Sequence, residues 1–218
     1  MKLGKEAMEA LQAEITGLLS PGDELVVVGA VALRGTVLLA QKEYEELRKY
    51  FSEGFLWNCL NLGKDYGICG KTCSHMAEEA GAGALYSVGE GGILSALWKM
   101  AEASQVGLWA NLRRIPIRQE TIEVCEHFDL NPYYLLSEGA LLIGIPSGES
   151  LVQEYRRMGL PAAVIGQTNR GNDRLLYSGE NARYLDRPAR DEIYKRNWYQ
   201  PNLNAAAANK ELEGKWQD

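Results

Sequence analysis

Long apolar runs are missing from this 218-residue chain: the longest, Leu25 to Leu33, is about nine residues with Gly29 inside it, against the roughly 20 needed to cross a bilayer. It reads as a buried strand, and no membrane contact is expected. An excess of basic charge is missing too. Twenty-three lysines and arginines face 29 acidic residues, a net charge of −6, which argues against nonspecific nucleic-acid binding, since that needs a basic footprint to neutralise phosphates. Of the two histidines, His127 has no nucleophile near it in sequence, and Ser87 has no evident base. No hydrolytic triad can be assembled from them. The N-terminus, MKLGKEAMEALQAEI, is charged and amphipathic and lacks the apolar core of a secretion signal, which points to the cytoplasm and to cysteines that stay reduced. No internal repeat is visible.

What is present suits one sizeable domain. A hydrophobic content of 46% supplies a normal core, and strand-like and helix-like segments alternate, the pattern of a layered α/β domain. Met8, Leu11, Ile15, Leu18 and Leu19 share one helical face, ended by Ser20-Pro21-Gly22-Asp23. ELVVVGAVAL reads as a strand, and a helix then opens at Gly35-Thr36 and runs through LLAQKEYEELRKYF. Ser52 to Gly70 reads as irregular and aromatic, and KTCSHMAEEAG as a helix with Gly81 past its end. Later come a helix over GESLVQEYRRMG, a strand over AAVIGQT, two short strands near RLLYSG and ARYLD, and a short helix over DEIYKRNW. The resulting division is an N-terminal helix over 1–20, a domain over 21–198 and a mobile tail over 199–218.

The densest signal lies between Ala84 and Leu112. A short apolar strand enters a glycine-rich turn, where Gly89, Gly91 and Gly92 bracket Glu90, and leaves it as a helix whose Ile93, Leu94, Leu97, Met100 and Ala101 form one buried face. A helix that starts on glycines presents unpaired backbone N–H groups and the positive end of its dipole, which suits a phosphate or a carboxylate. Gly89, Glu90, Gly91 and Gly92 are therefore candidate ligand-binding residues. Arg113, Arg114 and Arg118, around Ile115-Pro116-Ile117, either reach an anion held at that turn or form a solvated loop. In the first case Glu90 points outward or pairs with an arginine.

Cys59, Cys69, Cys73 and His75 are the second cluster with possible chemistry. On a helix Cys69 and Cys73, four apart, share a face and could bind a soft metal or form a redox pair. Their spacing fits no standard zinc or iron–sulfur signature, so the alternative is four thiols acting as small core hydrophobes, Cys125 among them. The expectation is no metal and free, reduced thiols. Gly70-Lys71-Thr72 is not a phosphate loop, because that motif needs glycine at 65, where Asp65 stands.

The order of motifs EGG, AEAS, VGL, IPIRQETIE, DLNPYYLLS and GALLIG resembles the C-terminal domain of the aminoimidazole ribonucleotide (AIR) synthase superfamily, closest to its AIR synthase-related, hydrogenase maturation factor-like branch. The resemblance covers roughly Pro21 to Trp198. It implies a layered α-β-α domain with a mixed sheet, partly ferredoxin-like, with helices on both faces. It also implies that ATP and magnesium are handled by an N-terminal domain for which the residues before 21 are too few. Where the related branch reads His-Asp-x-Thr-Glu-Gly-Gly, this chain has Tyr86, Ser87, Val88, Gly89, Glu90, Gly91 and Gly92. Two functions follow as expectations. One is a C-terminal domain that binds a small phosphorylated or anionic ligand, or complements a separate ATP-binding subunit, without ATP-dependent catalysis of its own. The other is a noncatalytic scaffold or interaction protein, and a cysteine-based metal or redox role is possible within either. The cofactor is unknown.

Overall fold

The computed structural model describes residues 3–65, 70–188 and 190–199. Their strands join into one eight-stranded mixed sheet in the order β1-β3-β5-β2-β6-β4-β7-β8. The strands are β1 (Thr16–Gly17), β2 (Glu24–Val28), β3 (Ala84–Ser87), β4 (Gly107–Asn111), β5 (Leu141–Ile145), β6 (Ala162–Asn169), β7 (Arg174–Ser178) and β8 (Asn181–Tyr184). Every neighbouring pair is antiparallel except β4 and β7, which run parallel from Leu108↔Arg174 to Asn111↔Tyr177.

The central strand shows why the sheet is covered on both faces. β2 reads ELVVV without polar alternation, so both of its sides must be buried. Leu25 and Val27 join Ile93, Leu94, Leu97 and Met100 of α6 (Gly92–Ser104) and Leu11 of α1 (Lys5–Ala13) on one face. Val26 and Val28 turn the other way, onto Cys73 and Ala77 of α5 (Gly70–Glu79) and Leu151, Val152 and Tyr155 of α8 (Glu149–Arg157). The Tyr155 hydroxyl donates to the Cys73 carbonyl at 2.7 Å, fixing α8 to α5. A further apolar cluster joins α2 (Leu33–Lys42), α3 (Tyr44–Leu47), α4 (Glu53–Asn61) and α7 (Gln119–His127) through Leu39, Leu47, Leu56 and Val124. This is the layered α/β architecture read from the sequence.

Several boundaries differ from the sequence reading. α1 stops at Ala13 and the chain then pairs as β1, so Ile15 and Leu19 are buried while Leu18 is 47% exposed. Gly17 permits this: its φ is +72°, and a Cβ there would sit 2.1 Å from the Gly83 carbonyl oxygen. β2 ends at Val28 rather than running to Leu33, because Gly29 at φ +86° turns the chain and donates to the Pro161 carbonyl at 2.8 Å. α2 opens at Leu33, two residues before Gly35, and is separated from α3 by Glu43. The segment read as irregular contains α4, whose first turn is capped by the Ser52 hydroxyl accepting from the Phe55 N–H at 3.3 Å. Residues 200–218, the greater part of the expected mobile tail, lie outside the described residues.

Candidate functional site

β3 delivers the chain into the glycine turn at the edge of the sheet core. Gly91 and Gly92 hold φ values of +82° and +66°, and a Cβ on Gly92 would meet the Tyr133 carbonyl oxygen at 2.5 Å. The turn is thus packed directly on the backbone of the short 3-10 turn Pro132–Tyr134. The Gly89 carbonyl accepts from the Gly92 N–H at 3.2 Å and from the Ser137 N–H at 3.1 Å. α6 begins there, buried along Ile93, Leu94, Leu97 and Met100.

The Gly91 N–H is not free. It donates to the Asp191 carboxylate at 2.6 Å. The other Asp191 oxygen accepts from the Ile193 N–H at 2.8 Å, and a third backbone donor comes from Leu136. Asp191 is 2% exposed. Burial raises its carboxyl to about 6, against the pull of those three N–H groups, and the nearby Glu90 charge adds to the rise. Glu90 itself is exposed and accepts a hydrogen bond from the Tyr194 hydroxyl; burial first, and then this bond, push the Tyr194 phenol up to about 12. Asp191 escaped the sequence reading because it lies 100 residues from the turn. The one local signal was an aspartate just before a short helix, the position of an N-cap.

The arginines do not gather on this turn. The Arg113 guanidinium packs on Gly179, between β7 and β8, with Nη2 2.9 Å from where a Cβ would stand. Arg114 is exposed. Arg118 lies 3.6 Å from Glu120 and borders a cavity of about 150 Å³ with Ala30, Leu33 and Gly159. Among the described residues no hydrogen bond or ion pair joins Arg113, Arg114 or Arg118 to Gly89–Gly92. A larger groove, about 560 Å³, opens beside the end of β3 between Ser87, Gly139 and the Lys71, Ser74 and His75 side of α5.

Tyr86 and Ser87 end β3, just before the turn. The Tyr86 hydroxyl receives the Lys99 ammonium at 3.0 Å, and Lys99 also meets Glu14 at 2.9 Å. This neutralised, partly buried trio ties α6 and β3 to the end of α1.

The cysteines are dispersed. Cys59 packs with α2 and α7, whereas Cys73 packs under α8 on another cluster, and Cys69 lies outside the described residues. His75 is exposed and 3.3 Å from Glu79. Among the described residues no group of three or more His, Cys, Asp or Glu side chains is placed to hold a metal. The expectation of uniformly reduced thiols is corrected at one position: Cys73 is disulfide-bonded, while Cys59 and Cys125 are free and buried. Burial raises both free thiols to about 12, the opposite of the lowered value that marks a reactive thiol. No helix among the described residues is long and apolar enough to cross a membrane.

Residues 20–177 match the family model of the AIR synthase related protein, C-terminal domain. Carbamoyl dehydratase HypE of Rhodobacter capsulatus is 27% identical over 178 residues, which are 78% of this chain and 49% of that protein. The crystal structure of E. coli HypE, a hydrogenase maturation protein, has a TM-score of 0.58 at 22% identity, covering 79% of this chain and 52% of that one. A HypE–HypF complex gives 0.57 at 17% identity, covering 78% and 54%. The chain spans about half the length of the curated hydrogenase-maturation relatives it matches.

Proposed function

The chain belongs to the AIR synthase-related C-terminal domain family, and from that premise we propose that it binds a small phosphorylated or otherwise anionic ligand at the β3–α6 turn and serves an ATP-binding partner protein, without turning over ATP by itself. The observation that carries the reading is the Asp191 carboxylate held by the N–H groups of Gly91, Ile193 and Leu136. A turn that retains a buried carboxylate on backbone N–H groups has the dipole and donors for an oxyanion. The relatives support the second half: the matched region is about half of each, and a structural neighbour was solved as an assembly with another protein. Phosphoryl transfer needs positioned metal and charge stabilisation, and the turn offers Tyr86, Ser87 and Gly89 where the related branch has His, Asp and Thr.

The noncatalytic scaffold reading is favoured by one feature, that Asp191 already uses the turn. Two assays separate the readings. Nucleotides and sugar phosphates are screened by thermal shift, and ATP hydrolysis is followed with magnesium for the purified chain. Stabilisation by an anion with no ATP turnover supports the proposal. No stabilisation by any anion supports the scaffold, and ATP turnover abolished by a substitution in the turn refutes the claim that the chain has no catalysis of its own.

A further inference from the structure

The segment from Asp191 to Tyr199 crosses the mouth of the glycine turn as a strap with two anchors. The first is Asp191 on the Gly91 N–H, reinforced by the Glu192 carboxylate accepting from the Asn131 N–H at 3.1 Å and by the fully buried Ile193 side chain. The second is Glu43, between α2 and α3. Its Oε1 receives Nε and Nη2 of Arg196 at 3.0 and 2.6 Å and also the Trp198 indole N–H, while the Arg196 guanidinium lies 4.5 Å over the Phe128 ring. Between the two anchors the Tyr194 hydroxyl donates to Glu90.

Within the strap the backbone forms only the short 3-10 turn Glu192–Lys195 and joins no strand of the sheet. The attachment is therefore made by side chains alone: Ile193 enters the cluster of Leu39, Leu47 and Leu56, Tyr194, Trp198 and Tyr199 pack against it, and the polar anchors add to this, all on elements distant in sequence. Segments held in this way open at lower free energy than the strands beneath them. One anchor also carries an opposing cost. The Asp191 carboxylate is buried with backbone N–H groups as its stabilising partners and with Glu90 as a like charge nearby, so desolvation works against docking.

We infer that the strap is a self-inhibitory closure of the glycine turn: docked, it fills the turn with the chain's own carboxylate, and released from Glu43 it yields the Gly91 and Leu136 N–H groups to an external anion. The inference rests on the anion-binding reading above and supplies its regulation. An anion and the strap then compete, and a partner that takes hold of Arg196 or Trp198 would favour the open form by simple linkage.

The test is hydrogen exchange read by mass spectrometry on the full chain, comparing wild type with Glu43→Gln, and with Arg196→Ala as a second variant removing the same anchor from the other side. Inorganic phosphate is the added probe. Glu43 does not touch the turn, so a structural change there should report through the strap alone. Peptides covering 190–199 and 89–94 should exchange faster together in both variants, by roughly tenfold or more, while β2 and β5 keep their protection; phosphate should then slow the 89–94 peptide and leave the strap open. Faster exchange of the strap with the turn unchanged, or no change in either variant, overturns the inference. If strap and turn open together but neither phosphate nor sugar phosphates protect the turn, the closure stands and the ligand reading falls. If phosphate protects the wild-type turn while the strap stays closed, the ligand reading stands and the closure falls.

Discussion

Asp191 accepts a hydrogen bond from the Gly91 N–H at 2.6 Å across 100 residues of sequence. The same carboxylate takes the N–H of Ile193 and of Leu136, so one side chain joins the β3–α6 turn, the segment before β5 and the C-terminal strap. The N–H groups of Gly91, Leu136 and Ile193 converge on one point, and an anion occupies that point. Its being part of the chain itself makes the turn both a structural joint and a candidate binding site.

Asp191 gives the fold a pH signature. Its folded carboxyl is raised to about 6 from an ordinary 3.8, so its contribution to stability is fully present below pH ~4 and is lost as pH rises through about 6. The loss amounts to something on the order of 3 kcal/mol. Urea melts of wild type and Asp191→Asn at a series of pH values check this. The difference between them should change between pH 4 and 6 in that direction, and a difference constant across the window would contradict the burial argument.

The α6 face is a packing prediction. Leu97 is fully buried in the cluster that includes Leu25, Val27 and Ile93. Leu97→Ala should destabilise the domain by roughly 2 to 5 kcal/mol through lost burial and the cavity left behind. Chemical denaturation measures it, and an unchanged midpoint would count against the α6–sheet contact.

Cys59 and Cys125 should be inert. With both thiols buried and raised to about 12, alkylation by iodoacetamide at pH 8 should be negligible in the native protein and complete after unfolding. Mass spectrometry of the labelled chain distinguishes the two. Rapid native labelling of either cysteine would show a reactive thiol and contradict the burial argument.

How legible these features were followed from the range of the interactions that make them. α6 was readable because its apolar spacing and its glycine start are local, and β2 because five consecutive residues, ELVVV, admit no solvent face. The end of α1 was not, since the apolar positions Ile15 and Leu19 continue the helical spacing while Gly17 diverts the backbone into pairing with β3. α4 was masked by its aromatic composition, although Ser52 supplied a cap. At the site, Gly89 to Gly92 came together as their adjacency requires. Arg113, Arg114 and Arg118 did not: adjacency in a loop says nothing of direction, and Arg113 extends to Gly179 while Arg118 faces Glu120. Asp191 carried no long-range mark in the sequence.

The most direct measurement of the central claim is a phosphate and sugar-phosphate titration followed by two-dimensional 15N–1H NMR of the assigned chain. If the glycine turn is the anion site, the amides of Gly91 and Leu136 should shift saturably and more than those of the distant β8, and the Ile193 amide should move with them as Asp191 is displaced. Saturable shifts centred on another surface, or no saturable shift at any amide, would contradict it.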